Sequence, residues 1–106
     1  MLPRGRDAVV ASLLCAAACV PAHAATVQIV MENLEIAPAV ASARVGDTIE
    51  WINKDFVVHT ATARSGDFDV KLPPKKTSSF VLKKPGALDY YCRYHPNMKA
   101  TLQVGP

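Results

Sequence analysis

The sequence lacks several features that would assign it to a common protein class. Its 106 residues contain no internal repeat and no long run of charge of one sign, and residues 25–106 have no helical stripe longer than a turn. The net charge of +3 is small, and the aromatic residues are not interleaved with basic residues as they are in proteins that bind single-stranded nucleic acid. We therefore expect one globular domain with no nucleic-acid partner.

The chain also lacks an apolar run long enough to cross a membrane. The apolar stretch at residues 8–20 follows Arg4 and Arg6, and Ala22-His23-Ala24 supplies small residues at the positions that a signal peptidase reads. This pattern predicts a Sec-type signal peptide at residues 1–24. It also predicts export to the periplasm and a mature form without a transmembrane segment.

Two alternatives for the N-terminal segment stay open. Its apolar stretch is also compatible with a buried N-terminal helix of the domain. Residues 16–19, Ala-Ala-Ala-Cys, resemble a lipobox that would attach lipid at Cys19, although the leucine usual at the first position is missing.

Cysteine is scarce in the predicted mature domain, residues 25–106. Cleavage after Ala24 would remove Cys15 and Cys19 and leave Cys92 alone. Small exported domains have thin cores that a disulfide or a metal commonly stabilises. A single cysteine cannot form an internal disulfide, so that route to stability is excluded.

Alternating apolar residues and closely spaced turn signals predict an all-β domain. The alternation puts Ile49 and Trp51 on one face of a strand, and Tyr90 and Cys92 on one face of another. Residues 65–76, with two prolines and paired lysines, are predicted as a surface connection. The predicted strands are residues 26–31, 45–53, 57–63, 78–82, 87–92 and 100–104. So many short strands suggest a β-sandwich or a small barrel.

A cluster of metal-ligating residue types follows the fifth predicted strand. Cys92, His95 and Met98 recur every three residues, and their thiolate, imidazole and thioether groups favour copper. Zinc would prefer a fourth strong ligand to a thioether. His59 lies in a predicted strand that a sandwich can bring beside this loop. Each residue alone has an ordinary structural explanation, but together they predict one copper ion bound by all four.

This segment resembles the ligand loop of the cupredoxins, the type 1 blue-copper family, and within that family its amicyanin-like and plastocyanin-like members. The amicyanin-like members have the same Cys-x-x-His-x-x-Met spacing. Residues 85–92 are similar to the family's Gly-x-x-x-Tyr-x-Cys strand, and Trp51-Ile52-Asn53 is similar to the segment before the first ligand histidine. The likeness departs at Thr60, where many members have an asparagine that ties the two ligand loops together.

The resemblance implies a small Greek-key β-sandwich that carries electrons and is not an enzyme. It implies one type 1 copper ion cycling between Cu(I) and Cu(II), with His59, Cys92 and His95 in the trigonal plane and Met98 as the long axial ligand. It further implies that the edge of His95 is exposed as the port for the electron.

The resemblance also implies a monomer that meets redox proteins, such as a cytochrome c or a periplasmic oxidoreductase. A basic rim for an acidic partner is one hypothesis, and scattered solvated charge is the alternative. The rim would consist of Lys75, Lys76, Lys83, Lys84, Arg93 and Lys99. Two further functions stay open: copper delivery by the same fold, and an enzyme with Cys92 as nucleophile and His95 as base, for which no orienting side chain is evident.

Overall fold

The computed structural model describes residues 24–106, so the predicted signal peptide and the alternative lipid site at Cys19 lie outside the described residues, apart from Ala24. Over this range the chain forms nine strands and no helix. The strands are β1 (Thr26–Glu32), β2 (Glu35–Ala37), β3 (Val40–Arg44), β4 (Thr48–Asn53), β5 (His59–Ala63), β6 (Asp69–Leu72), β7 (Thr77–Val81), β8 (Gly86–Cys92) and β9 (His95–Gly105). The described residues accordingly include no helix that could cross a membrane.

The strands form two sheets that enclose one core. The first sheet has the order β2-β1-β4-β7, and the second has the order β3-β9-β8-β5-β6. The pairs β1–β4 and β3–β9 are parallel, while the remaining pairs are antiparallel. The predicted all-β sandwich is thereby confirmed.

An aromatic cluster, consisting of Trp51, Phe68, Phe80 and Tyr90, fills the space between the sheets. The ring centroid of Trp51 lies 5.4 Å from that of Phe68 and 5.6 Å from that of Tyr90, and Phe68 lies 5.3 Å from Phe80. Trp51 Nε1–H donates to Tyr90 Oη at 3.2 Å, so both buried polar atoms are satisfied. Burial raises the pKa of Tyr90 to about 12, against a smaller opposing effect of this hydrogen bond.

The alternation predicted for β4 and β8 is confirmed. Ile49 and Trp51 are fully buried on one face of β4, and Tyr90 and Cys92 are fully buried on one face of β8. Because β8 runs directly from the aromatic cluster to Cys92, the core fixes the position of this cysteine from one side.

The surface connection predicted at residues 65–76 is not wholly irregular: it is not a core strand, but its residues 69–72 form β6 at the edge of the second sheet. His59 in β5 is paired with Leu72, and Thr62 is paired with Asp69. The prolines lie just after this strand, where they leave the ladder intact. The structure also adds β2 and β3, and it begins β9 at His95 instead of residue 100.

Candidate metal centre

Three of the four predicted ligands meet at one end of the sandwich, because each lies where a strand of the second sheet begins or ends. His59 is the first residue of β5, Cys92 is the last of β8, and His95 is the first of β9. Cys92 is paired with His95, so only Arg93 and Tyr94 separate the two strands. This short hairpin holds two of the ligands at a fixed separation.

The side chains of His59, Cys92 and His95 have the spacing that a metal ion requires. Cys92 Sγ lies 3.6 Å from His59 Nδ1 and 3.6 Å from His95 Nδ1. Metal–nitrogen and metal–sulfur bonds of about 2.0 to 2.3 Å would put three donors in a plane roughly 3.5 to 4 Å apart. Two imidazoles and a thiolate favour copper by their softness. The cluster is therefore positioned for a copper ion.

Asp55 fixes the orientation of the His59 ring. His59 Nε2 donates to Asp55 Oδ2 at 2.8 Å, which leaves Nδ1 facing Cys92 with its lone pair. The imidazole is fully buried, and the carboxylate is 13% exposed. A ligand histidine held by a carboxylate in this way keeps one tautomer and one ring direction.

The same carboxylate anchors the β1–β2 turn. The backbone amides of Asn33 and Leu34 donate to its two oxygens at 2.7 and 3.1 Å, and both residues have positive φ, 55° and 62°. Burial alone would raise the pKa of Asp55, but the hydrogen bonds from His59 and from these two amides outweigh it. The pKa of Asp55 therefore lies below the ordinary carboxyl value.

Asn53 organises the connection between β4 and β5 that carries Asp55. The two N–H groups of its buried amide are shared among the carbonyl oxygens of Val57, Leu72 and Pro73, which lie 2.9 to 3.1 Å from Nδ2. Its Oδ1 accepts from the Asp55 amide at 2.9 Å. One fully buried side chain thus ties this connection to the end of β6.

Thr60 links the two segments that carry the ligands. Its hydroxyl oxygen accepts a hydrogen bond from the Arg93 amide at 2.9 Å, and its side chain is fully buried. The resemblance noted above departs at this position, where many members have an asparagine that ties the ligand loops together. In this chain the Thr60 hydroxyl makes such a tie.

Met98 and His95 border the same depression in the surface. Met98 is 2% exposed and lies in β9, three residues after the partly exposed His95. A shallow cavity of about 290 Å³ is lined by both residues together with Leu34, Pro96 and Asn97. Met98 is therefore near the cluster and largely shielded from solvent.

The sequence pattern alone does not mark Asp55 or Asn53 as part of the site. An acidic residue four positions before a histidine is common, and only the fold brings Asp55 against both His59 and the β1–β2 turn. The spacing Asn53-x-Asp55 was the one available signal, because an asparagine side chain often accepts from the amide two residues on.

Comparisons with known proteins agree with this geometry. Residues 7–104 match the cupredoxin-like domain family. Amicyanin of Paracoccus denitrificans is 33% identical over 67 residues, which cover 58% of this chain and 51% of that protein. The chain thus spans about half the length of this curated relative.

Solved structures share the fold. Amicyanin of Paracoccus versutus superimposes with a TM-score of 0.65 at 24% identity, covering 83% of this chain and 87% of that one. The copper-containing nitrite reductase of Thermus scotoductus superimposes with a TM-score of 0.69 at 26% identity, over 76% of this chain but only 22% of the enzyme. With the sandwich, the ligand spacing and the family match in agreement, the chain belongs to the cupredoxin-like domain family.

Proposed function

We propose that this protein carries single electrons through a type 1 copper site whose ligands are His59, Cys92, His95 and Met98. The observation that carries the proposal is the pair of 3.6 Å distances from Cys92 Sγ to the two imidazole nitrogens. When bound, copper supplies a one-electron couple between Cu(I) and Cu(II) and requires no substrate bond to form or break.

The chain's own residues prepare the site before metal arrives. Cys92 would bind as a thiolate and both histidines as neutral imidazoles, so metal affinity should fall in acid. Because Asp55 holds His59, Thr60 holds Arg93, and the hairpin has only two residues between its strands, the donors have little freedom to move. A rigid donor set lowers the cost of rearrangement when the charge of the site changes.

Met98 is proposed as the fourth and weaker ligand. Its burial beside His95 and its place three residues along β9 support this role. A thioether stabilises the soft cuprous ion, so Met98→Leu should keep the thiolate absorption and shift the reduction potential. An unchanged potential in that variant would exclude Met98 from the ligand set.

His95 is proposed as the port for the electron, because it is the one partly exposed member of the three-residue cluster. Four exposed apolar side chains, here called the apolar face, belong to the connections at the same end of the sandwich, and one of them, Leu34, lines a shallow cavity with His95. They are Leu34, Phe56, Val57 and Tyr94, with exposed fractions of 51%, 81%, 45% and 53%. A small apolar contact area suits the brief encounters of redox carriers, such as those with a cytochrome c or a periplasmic oxidoreductase.

The lysines of the proposed basic rim do not all lie at this end. The ammonium nitrogen of Lys75 lies 3.9 Å from the ring centroid of Phe56, a member of the apolar face. Lys83 and Lys84 lie in the β7–β8 connection at the other end, where Lys84 is paired with Asp67 at 3.4 Å. If Lys75 steers an acidic partner, transfer rates should fall as salt rises, and Lys75→Gln should reduce that dependence more than Lys84→Gln.

We further propose that residues 1–24 direct export to the periplasm and are removed, leaving a monomeric domain at residues 25–106. The position of β1, which begins at Thr26, supports this boundary, since cleavage after Ala24 would spare every strand. Mass spectrometry of the exported protein tests it. A mature N-terminus at Ala25 is expected, and a lipid-modified Cys19 would refute it.

Absorption and voltammetry test the proposed function together. One equivalent of Cu(II) should give an intense blue colour that ascorbate bleaches, and Cys92→Ser should lose the colour completely. Reversible voltammetry is then expected. Slow redox exchange with ready metal transfer to an acceptor protein would instead favour copper delivery, and an esterase or peptidase activity that Cys92→Ser abolishes would favour an enzyme.

A further inference from the structure

We propose that Thr62 and Asp69, acting through Thr60, are positioning residues that hold the backbone next to Cys92 and so fix the ligand hairpin. Thr60, Thr62 and Asp69 are here called the threonine relay. The inference rests on the proposed copper site for its purpose, but the hydrogen-bond chain itself is a property of the metal-free protein.

The relay is a continuous chain of short contacts. The Arg93 amide donates to Thr60 Oγ1 at 2.9 Å. Thr60 Oγ1 and Thr62 Oγ1 are 2.8 Å apart, and Thr62 Oγ1 donates to Asp69 Oδ1 at 2.9 Å. The chain therefore runs from the first residue after Cys92, along β5, to β6.

The direction of the chain follows from counting protons. An ionised carboxylate only accepts, so Thr62 must use its single hydroxyl proton on Asp69. Thr62 then accepts from Thr60, whose own proton is used in turn, and Thr60 is left to accept from the Arg93 amide. Because each bond polarises the next, the charge on Asp69 strengthens the hold on that amide.

The strands determine which residues can take part. Thr60 and Thr62 alternate with His59, Ala61 and Ala63, so the hydroxyls lie on the face of β5 opposite the ligand. Thr62 is paired with Asp69 across β5 and β6, which brings the carboxylate within reach. The relay thus acts on the ligand hairpin from behind, through the peptide group of Arg93.

Asp69 also contacts the side chain of the residue whose amide it helps to hold. Arg93 Nη2 lies 3.4 Å from Asp69 Oδ2, and both side chains are about half exposed, at 49% and 50%. An exposed pair of this kind contributes little by itself. It closes the relay into a ring, however, so that Arg93 is bound at its backbone and at its guanidinium.

The shortness of the hairpin makes this hold effective. Arg93 is one of only two residues between Cys92 and His95, which are paired with each other. Fixing its amide therefore limits the backbone between the thiolate and the imidazole. A hydrogen bond that only satisfied Thr60 would have no such consequence for the ligands.

Amide hydrogen exchange in the metal-free protein tests the relay directly. Thr62→Val removes the central hydroxyl while keeping the shape, and we expect the Arg93 amide to exchange about fivefold faster, relative to the Trp51 amide in the other sheet. Thr62→Ser keeps the hydroxyl, so in this variant the Arg93 amide should exchange at the wild-type rate. Equal rates in wild type and Thr62→Val, or a fast rate in Thr62→Ser, would overturn the proposal.

The chain offers a matched control. Thr101 Oγ1 donates to Asp89 Oδ1 at 2.7 Å on β9 and β8, in an exposed pair that does not touch the hairpin. Thr101→Val should leave the Arg93 amide unchanged. Asp69→Ala breaks the relay and also the ion pair with Arg93, so it should speed exchange at least as much as Thr62→Val. The double variant should exchange no faster than Asp69→Ala, because both changes break the same chain. Additive effects would contradict the relay.

A second arm joins the relay to the metal. We expect Thr62→Val to lower copper affinity about tenfold, the lower end of what outer hydrogen-bonding partners contribute, and Thr101→Val to leave it unchanged. If the wild-type protein takes up no copper, the proposed function fails while the exchange measurement still decides the relay. If copper binds and Thr62→Val changes neither exchange nor affinity, only the relay fails.

Discussion

Two clusters of side chains in this sandwich lie within a few residues of each other and are held together in different ways. The rings of the aromatic cluster pack at centroid distances of 5.3 to 5.8 Å, with one hydrogen bond among them. The three candidate ligands, His59, Cys92 and His95, are instead held by hydrogen bonds that involve residues outside the group. Asp55 binds the His59 ring, and Thr60 binds the backbone next to Cys92.

This difference separates stability from ligand geometry. Apolar burial is not directional, so the aromatic cluster stabilises the whole domain without fixing the orientation of the side chains of His59, Cys92 and His95. Hydrogen bonds are directional, so Asp55 and Thr60 determine where nitrogen and sulfur atoms lie while contributing modestly to folding. Substitutions in the two clusters should therefore have effects of different kinds, which the following experiments measure.

The largest effect should come from Trp51→Ala. Removing a fully buried indole creates a cavity, and we expect the free energy of unfolding of the metal-free protein to fall by about 3 to 5 kcal/mol in urea. Trp51→Phe, which keeps an aromatic ring, should lose much less. If folded Trp51→Ala, with copper added, has an altered thiolate absorption while its free energy of unfolding stays at the wild-type value, the aromatic cluster determines ligand geometry and not stability.

Asp55→Asn should have the next largest effect, which is on copper affinity. It removes the charge that orients His59, so copper affinity should fall roughly 10- to 100-fold in a chelator competition. Asp67→Asn, at the other end of the sandwich, is the control and should leave affinity unchanged. An affinity within twofold of the wild type would mean that the hairpin alone sets the ligand positions.

The same variant should change the response to acid. Because the pKa of Asp55 is lowered in the folded state, its contribution to stability is present above the ordinary carboxyl pKa and is lost as pH falls through the folded value. Metal-free Asp55→Asn should therefore lose less stability in acid than the wild type. If the stability of both proteins changes with pH in the same way, the pKa of Asp55 does not differ between the folded and the unfolded state.

Tyr90→Phe should have a smaller effect, confined to the aromatic cluster. It removes the acceptor of the Trp51 N–H, at a cost of about 1 to 3 kcal/mol. The pKa of Tyr90 is raised from 10.0 to about 12, so its stabilisation is complete below pH 10 and declines as pH rises toward 12. Wild-type stability should fall over that window more steeply than that of Tyr90→Phe, and the copper absorption should be the same in both.

The smallest effect on the molecule itself should come from Phe56→Ser. Phe56 is 81% exposed, so its loss should change the free energy of unfolding by less than about 0.5 kcal/mol and leave the absorption unchanged. Electron transfer to a redox partner should nevertheless slow, because the apolar face loses its most exposed member. An unchanged rate would show that Phe56 does not take part in docking, although it belongs to the apolar face.

The parts of this fold that sequence predicts are those set by local pattern. Period-two alternation identified the buried faces of β4 and β8, and the three-residue spacing predicted that Cys92 and His95 share one loop, which in the structure is a hairpin. The strand β6 was missed because the prolines and lysines after it dominate the segment. Its only structural cue is the pairing of Asp69 to Leu72 with β5, which is a long-range property.

The supporting residues of the site could not be found from sequence for the same reason. Asp55 touches a turn 21 and 22 residues before it, and Thr60 touches an amide 33 residues after it. Which threonine faces which carboxylate depends on strand register, and a shift of one residue would turn every side chain of β5 to the other face. Residue types suggest a ligand set, whereas register decides what orients it.

The β1–β2 turn shows how this arrangement constrains the sequence. Leu34 has a left-handed backbone that costs an ordinary residue on the order of 1 kcal/mol or more, and its amide is held by the carboxylate that also holds His59. Asp55 therefore makes two kinds of contact at once, one with a turn on the surface and one with a ring in the interior. A substitution at residue 55 changes both contacts together, so we expect the effects of substitutions at residues 33, 34, 55 and 59 to depend on one another.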